Sequence, residues 1–399
     1  MLEFFSASTR MVNSSKAMTV CLEEALGEGQ VDSCDLIVFH ASLGHKFQEL
    51  ASRARELAPK AHIAGNSCCG IVGSEGVSES MKDIAIMAVR GAPGEIAVAG
   101  VDGIYGDNSF EKCSQLATEL KQQNPDINMV YLMASGIDIA NDRCIAGLES
   151  VLGADVTIFG GTSSDNMKGI TSFQVFDDLV TEHGAWAVGF ADPTLRIVTQ
   201  ATHGFTPVGD PLIVTKSSGH KIIELNDRPA WSEYTSRLGL EPSVTCGESI
   251  PIGALAEKLP REVAEEYGQD HILRVVTKRD ENGTIYYTTT CPEGTCLWLT
   301  KRDEDLIFSE LDKMMNNIVE QGNNQPVAVF HADCLARGRF MLNRVMKEEI
   351  VANMQHPLSG KGQTPPWLGM YGFGEFARLN GKNKYHNYTT AIYALFRDQ

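Results

Sequence analysis

An α/β fold in two packed domains, built from divergent β-α-β-β repeats with mixed sheets and helices, is predicted by three observations. An apolar stretch running into a small polar loop occurs three times, at residues 34–42, 129–136 and 327–334. Each is followed by a segment of helical period and then a second apolar stretch ending in a glycine-rich loop, at 63–70, 158–165 and 368–375. After every glycine loop comes one more β-rich run, at 83–89, 184–190 and 389–396. Short apolar runs bounded by turn residues read as buried strands, and their recurrence marks a repeated supersecondary unit. Parallel strands carry their loops at one sheet edge, where ligands bind in open α/β sheets.

The helices follow from spacing. Between 46 and 57, Phe47, Leu50, Ala54 and Leu57 fall on one helical face. The second helix, 143–152, keeps the period less cleanly because of Gly147, and a third is expected over 340–350. Residues 193–260 read as a junction: a turn-rich run at 202–211, a strand at 212–215 and a hairpin at 216–221. A helix is expected to start from Ile222 and run through Trp231, Tyr234 and Leu238. Asn282-Gly283 between β-rich runs predicts a second hairpin. With no low-complexity linker, the expected domains, 1–221 and 222–399, pack against each other.

Composition narrows the function. A chain of 399 residues exceeds one hydrophobic core. Its net charge of −17 repels nucleic-acid backbones and anionic membranes, so neither is an expected partner. Membrane insertion is not expected, because no apolar run approaches the roughly 18–20 residues a spanning helix needs. The early Glu3 and the lack of a cationic leader argue against a signal peptide, so the expected location is the cytoplasm. The ten cysteines are scattered, with no Cys-x-x-Cys pair, and read as buried thiols. Cys291…Cys296 and Cys68-Cys69 are poor zinc spacings, so no structural zinc site is expected.

Six motifs occur in order: Gly160-Gly161-Thr162-Ser163-Ser164-Asp165, Pro207-Val208-Gly209, Glu224 to Ala230, Asp333-Cys334-Leu335-Ala336-Arg337-Gly338, Tyr371-Gly372-Phe373-Gly374-Glu375, and His386-Asn387-Tyr388-Thr389. Through them the chain resembles the FIST family, whose members carry an N-terminal and a C-terminal FIST domain. The resemblance implies a cytoplasmic sensor of small ligands in signal transduction. No length remains for a fused output module, so a standalone sensor would act on a separate partner such as a histidine kinase. One standalone subgroup, similar in length and layout, senses nitric oxide through haem; the motifs quoted do not establish membership in it.

The candidate ligand-binding residues come from the strand-end loops. Ser67 and Cys68 lie in the first glycine loop, and Gly161, Thr162, Ser163 and Asp165 in the second. That second loop resembles an anion nest but lacks the lysine of a nucleotide P-loop. Arg337 offers a fork for a ligand carboxylate, with Cys334 beside it. Glycines including Gly374 allow close backbone approach, Glu375 offers an acceptor, and His386 and Asn387 offer donors from the facing strand. For a haem, the axial candidates are His40, His203 and His331, with Cys334 also near a strand end. Without Cys-x-x-Cys-His, covalent c-type attachment is excluded. The alternative is a small-molecule enzyme using Cys334 or His386 in an interdomain pocket, although no nucleophile–base–orienter arrangement is recognisable.

Overall fold

The computed structural model describes residues 1–322, 324–339 and 342–398. Three similar units follow one another along the chain. The first comprises β1 (Glu3–Thr9), α1 (Ser14–Leu26), β2 (Leu36–Ser42), α2 (Phe47–Leu57), β3 (His62–Cys68), the hairpin β4 (Ile71–Gly73) and β5 (Gly76–Ser78), and β6 (Ile84–Arg90). The second repeats it with β7 (Ile96–Asp102), α3 (Ser109–Gln123), β8 (Met129–Ala134), α4 (Asn141–Leu152), β9 (Thr157–Thr162), the hairpin β10 (Gln174–Phe176) and β11 (Leu179–Thr181), and β12 (Gly184–Phe190).

The third unit opens with β13 (Leu195–Thr202) and is then interrupted. The insertion holds β14 (Phe205–Ser218), β15 (Lys221–Leu225), β16 (Arg228–Pro229), α5 (Ala230–Leu238), α6 (Cys246–Ser249), β17 (Leu255–Lys258), α7 (Arg261–Tyr267), β18 (His271–Arg274), β19 (Val276–Arg279), β20 (Ile285–Tyr287) and β21 (Cys296–Arg302). The unit then resumes with α8 (Glu304–Gly322), β22 (Ala328–Cys334), α9 (Leu335–Gly338), α10 (Arg344–Leu358), β23 (Trp367–Gly372), the hairpin β24 (Gly374–Leu379) and β25 (Lys382–His386), and β26 (Thr390–Arg397).

Each unit pairs its two crossover strands in parallel, β2 with β3, β8 with β9 and β22 with β23. These strands are almost wholly buried, which is why they read as continuous apolar runs. Each hairpin leaves its own unit and extends a neighbour's sheet. The first unit's β4 pairs with β23, the second unit's β10 with β3, and the third unit's β24 with β9. Three six-stranded sheets of the same order result: β1-β6-β2-β3-β10-β11, β7-β12-β8-β9-β24-β25 and β13-β26-β22-β23-β4-β5. The insertion forms a fourth, antiparallel sheet of eight strands.

The inward faces of all three units share one core. Tyr131 of β8 packs on Phe330 of β22 with ring centroids 4.7 Å apart, and Phe159 of β9 on Tyr393 of β26 at 5.4 Å. The outward faces are covered by the helices. In α2, Phe47, Leu50, Ala51 and Ala54 are buried as the spacing predicted. Gly147, which weakened the pattern of α4, permits the close crossing of α3: a Cβ there would lie 2.4 Å from the Phe110 carbonyl oxygen.

The mixed α/β class, the paired strands and the Asn282-Gly283 hairpin match the expectation. Two element boundaries need correction. Residues 221–225 form β15 and the helix begins only at Ala230. Asn226 and Asp227 adopt left-handed φ of 51° and 60°, the conformation of a tight hairpin turn into β16. Likewise α10 starts at Arg344, because the Asn343 side chain caps it by accepting from the Met346 N–H at 3.0 Å. Phe340 and Met341 lie outside the described residues. The point between 221 and 222 falls at the start of β15, inside the inserted sheet.

Candidate functional site

The strand-end loops of the three units do meet. Ser67 Oγ donates to the Ser164 carbonyl at 2.7 Å, Ser164 Oγ to the Tyr371 carbonyl at 2.7 Å, and the Cys69 N–H to the same Tyr371 oxygen at 3.0 Å. Most of the polar groups in the first two loops are consumed by this meeting. Ser67 Oγ also accepts the Phe173 N–H, and Ser163 Oγ donates to the Ala134 carbonyl. Thr162 shares a hydrogen bond with the Tyr385 hydroxyl at 3.2 Å, and Gly161 pairs through its backbone with Glu375. The Asp165 carboxylate accepts the backbone N–H groups of Lys168, Gly169, Ile170 and Thr171, so it shapes its own loop. Cys68 and Cys69 border a separate small cavity of about 120 Å³ beside Glu79 and Arg339.

A larger cleft of about 140 Å³ opens between the second and third units, beneath the inserted sheet. Gly136, Ile137 and Asp138, which follow β8, form one wall with Met167, Lys168 and Gly169. Cys334, Leu335, Ala336 and Phe373 form the opposite wall, at the ends of β22 and β23. The inserted sheet roofs it with His220, Ile250, Val275, Thr277, Lys278, Tyr286 and Tyr287. That roof is tied to both units. Thr290 N–H donates to Asp142 at 2.9 Å, Thr288 hydroxyl to Asn387 Oδ1 at 2.8 Å, and Arg274 to the Tyr385 carbonyl at 2.6 Å. Asn387 thus braces the roof, and its amide also holds the Phe373 carbonyl at 2.9 Å.

The cleft is apolar in its walls and charged at its rim. His220 Nε2 faces Asp138 Oδ1 at 3.5 Å, and the imidazole holds that carboxyl below its usual range. Lys168 and Lys278 add two cations at the mouth. Burial pushes the Cys334 thiol well above its ordinary value, which disfavours the thiolate form.

Behind the Cys334 wall sits a buried polar cluster. Arg337 Nη1 binds Asp333 Oδ2 at 2.9 Å. Glu375 accepts the Thr389 hydroxyl through one oxygen, and burial pushes its carboxyl well above the usual carboxylate range. His386 lies across the β24–β25 ladder from Glu375, and burial holds its imidazole neutral. Gly374 leaves room for the Tyr385 hydroxyl, which would lie 2.0 Å from a Cβ there.

Model matches now decide the family. A FIST N domain covers residues 35–228 and a FIST C domain residues 230–378. The chain belongs to the FIST family. FIST domains are associated with small-ligand sensing in signal transduction. Among curated relatives of this FIST protein, the uncharacterized protein Rv0628c of Mycobacterium tuberculosis is 22% identical over 369 residues, covering 91% of each chain. The uncharacterized protein Mb0898c of Mycobacterium bovis is 24% identical over 243 residues, covering 60% of each. Of solved structures, a cyanuric acid hydrolase from A. caulinodans aligns over the whole of both chains with a TM-score of 0.40 and 8% identity, too slight a likeness to bear on fold or activity.

The side chains of this FIST protein lend the haem expectation no support. His40 spends both ring nitrogens, on Asn66 at 2.7 Å and Tyr131 at 2.9 Å. His203 does the same with the His271 carbonyl and the Phe205 N–H. His331 is packed edge-on against Trp367 and bonded to Thr390. None of the three lines the cleft. Among the described residues, no three His, Cys, Asp or Glu side chains converge to hold a metal. No helix among them is long and apolar enough to cross a membrane.

The structure therefore brings Cys334, Arg337, Gly374, Glu375 and His386 to one place, at the end of the third unit. It leaves Ser67, Gly161, Thr162 and Ser163 bonded around the loop ends, Asp165 shaping its own loop, and Cys68 at a separate cavity. Sequence reading missed the entire roof, including His220, Lys278 and Tyr286. The β-hairpin signals at 216–221 and 279–284 located those residues without saying which loops they would cover.

Proposed function

We propose that this protein is a sensor of a small organic ligand held in the cleft between the second unit, the third unit and the inserted sheet. The observation that carries the proposal is the cleft's composition: apolar walls from Ile137, Leu335 and Phe373 beneath a roof from a separate sheet, with charges confined to the rim. That pattern suits a ligand with an apolar body and a few polar groups. The volume of about 140 Å³ lies below the roughly 300–1,000 Å³ of drug-sized sites, so the ligand has few atoms. The roof belongs to a separate sheet that meets both units, so a ligand that binds one roof position better shifts the population toward it. In this reading the shift is passed to a separate partner, such as a histidine kinase, in the cytoplasm. The free thiols of all ten cysteines suit a reducing compartment.

Mass spectrometry of the natively purified protein should release one small molecule, and that molecule should raise the melting temperature of the stripped protein. Ile137→Trp, which fills the cleft from a partly buried loop position, should abolish the shift and leave the unliganded melting temperature unchanged. A stabilisation that survives Ile137→Trp would place the ligand elsewhere and end this reading.

A further inference from the structure

The small cavity beside the first glycine loop is lined by an unusual concentration of sulfur. Cys68, Cys69, Met81 and Met167 make up four of its nine lining residues. With 10 cysteines and 14 methionines in 399 residues, a random draw of nine would include fewer than one. The four come from two units and three separate segments. Cys68 and Cys69 lie at the end of β3, Met81 in the turn before β6, and Met167 in the loop after β9.

Local geometry explains how adjacent cysteines share one cavity. Neighbouring residues within a strand point to opposite faces, but β3 ends at Cys68 and the chain bends at Cys69. Gly70 follows with φ of 134°, a conformation that glycine alone adopts readily. The bend frees Cys69 from the alternation. Cys68 and Cys69 are 1% and 6% exposed, whereas Met81 and Met167 are 47% and 39% exposed. The cysteines therefore form the floor of the cavity and the methionines its mouth. Met167 is held in a left-handed conformation, φ 75°, on the loop that the Asp165 carboxylate pins. A non-glycine residue in that region carries strain, which accumulates at functional sites.

Ser42 adds a donor without an acceptor. It faces Cys68 across the parallel β2–β3 ladder, lines the cavity and is 3% exposed, yet its hydroxyl has no hydrogen-bond partner. Buried polar groups are almost always paired. Burial raises the Cys68 thiol, while the Ser42 hydroxyl works the other way, as a donor to a thiolate does. The carboxylate in the lining, Glu79, is engaged by both Arg339 and Lys347. What the cavity offers is thus sulfur, and soft sulfur donors select a soft ion such as Cu(I) over the harder divalent metals.

We propose that Cys68, Cys69, Met81 and Met167 form a binding site for Cu(I), with two thiolates at the floor and two thioethers closing over the ion. On binding, each thiol gives its proton to solvent and no electron is transferred. The Ser42 hydroxyl then donates to the Cys68 thiolate. The assignment stands apart from the sensor reading, although Met167 borders both cavities.

The test is anaerobic titration of the full, reduced chain against the coloured Cu(I) complex of bicinchoninate. The protein should withdraw one equivalent of Cu(I), and X-ray absorption at the copper edge should show sulfur as its only neighbour. Cys69→Ser should weaken binding by more than about a hundredfold, and Ser42→Ala, which removes only a supporting hydrogen bond, by about tenfold. Met81→Leu and Met167→Leu conserve volume and so preserve the fold. Each should lower the affinity by about tenfold and remove one sulfur from the spectrum. Excess Zn(II) should leave the copper in place. Failure to withdraw copper, nitrogen or oxygen neighbours in the spectrum, or displacement by Zn(II) would overturn the proposal. So would binding that survives both Cys69→Ser and Met167→Leu, which would assign the copper to other thiols such as the partly exposed Cys246 and Cys296. If Cys69→Ser does not fold, the two methionine variants decide the matter by themselves.

Discussion

Strands β2 and β22 carry the same four residues, Val38-Phe39-His40-Ala41 and Val329-Phe330-His331-Ala332, at the hearts of the first and third units. They present them oppositely. In β2, Phe39 and Ala41 pack toward the helices, and His40 points to the shared interior, where Tyr131 meets it. In β22, Phe330 and Ala332 point to the shared interior, and His331 sits with Trp367 on the helix side. A one-residue shift in a strand exchanges every side chain between faces. The consequences reach the ends of the strands. His40, Asn66 and Tyr131 form a satisfied chain that closes the first unit's interior face. The shifted third unit instead places Asp333 beside Arg337 and puts Cys334 on the cleft wall. One copy of the motif has become a brace, and the other leads into the site.

The comparison can be broken by substitution. Phe330→Ala and Phe39→Ala should each cost about 3–5 kcal/mol in urea denaturation, as expected for fully buried aromatics. They should differ in coupling. A double-mutant cycle with Tyr131→Ala should give about 0.5–1.5 kcal/mol of interaction for Phe330, whose ring lies 4.7 Å from that of Tyr131, and none for Phe39. Coupling of Tyr131 to Phe39 would mean the faces have been assigned backwards.

The histidines come next in size. His40→Leu strands Asn66 Oδ1 and the Tyr131 hydroxyl, and should lower stability by about 2–3 kcal/mol. His331→Leu removes a single bond to Thr390, made at 2.9 Å, and should cost about 1 kcal/mol. Equal costs measured by denaturant midpoints would contradict the contrast between a closed first unit and a looser third.

Acid sharpens the same point with a smaller slope. Burial lowers His40 and His203 to about 4 and His331 to about 3. In the unfolded chain they protonate near 6.5, so the unfolded state binds more protons between those limits. Stability from these groups is complete above about pH 6.5 and falls as the pH drops, by about 1.4 kcal/mol per pH unit for each histidine. The His40 and His203 contributions stop falling near pH 4, and that of His331 near pH 3. Each of His40→Leu and His331→Leu should flatten the measured slope by one such increment, with the His331 share alone persisting below pH 4.

Much of the architecture was legible because it rests on local signals. The buried runs at 36–42, 129–134 and 328–334, the helical face of Phe47, Leu50 and Ala54, and the Asn282-Gly283 turn all declare themselves in a short window. Of the candidate site, Cys334, Arg337, Gly374, Glu375 and His386 were found from the strand-end position and the family motifs. His220, Lys278 and Tyr286 were hidden: their hairpins were predictable, but what a hairpin covers depends on distant chain.

By itself the sequence determined that strands, helices and turns would alternate in three copies, and that their small polar loops would end at one edge. Local apolar periodicity and turn chemistry suffice for that. The tertiary structure alone decided that the hairpins would be exchanged among the three sheets and that the insertion would roof one junction and not the others. It also decided which face the repeated Val-Phe-His-Ala would show. In strands buried on both sides, apolar residues fill both faces, so the pattern carries no phase; only the partners across the interior set it.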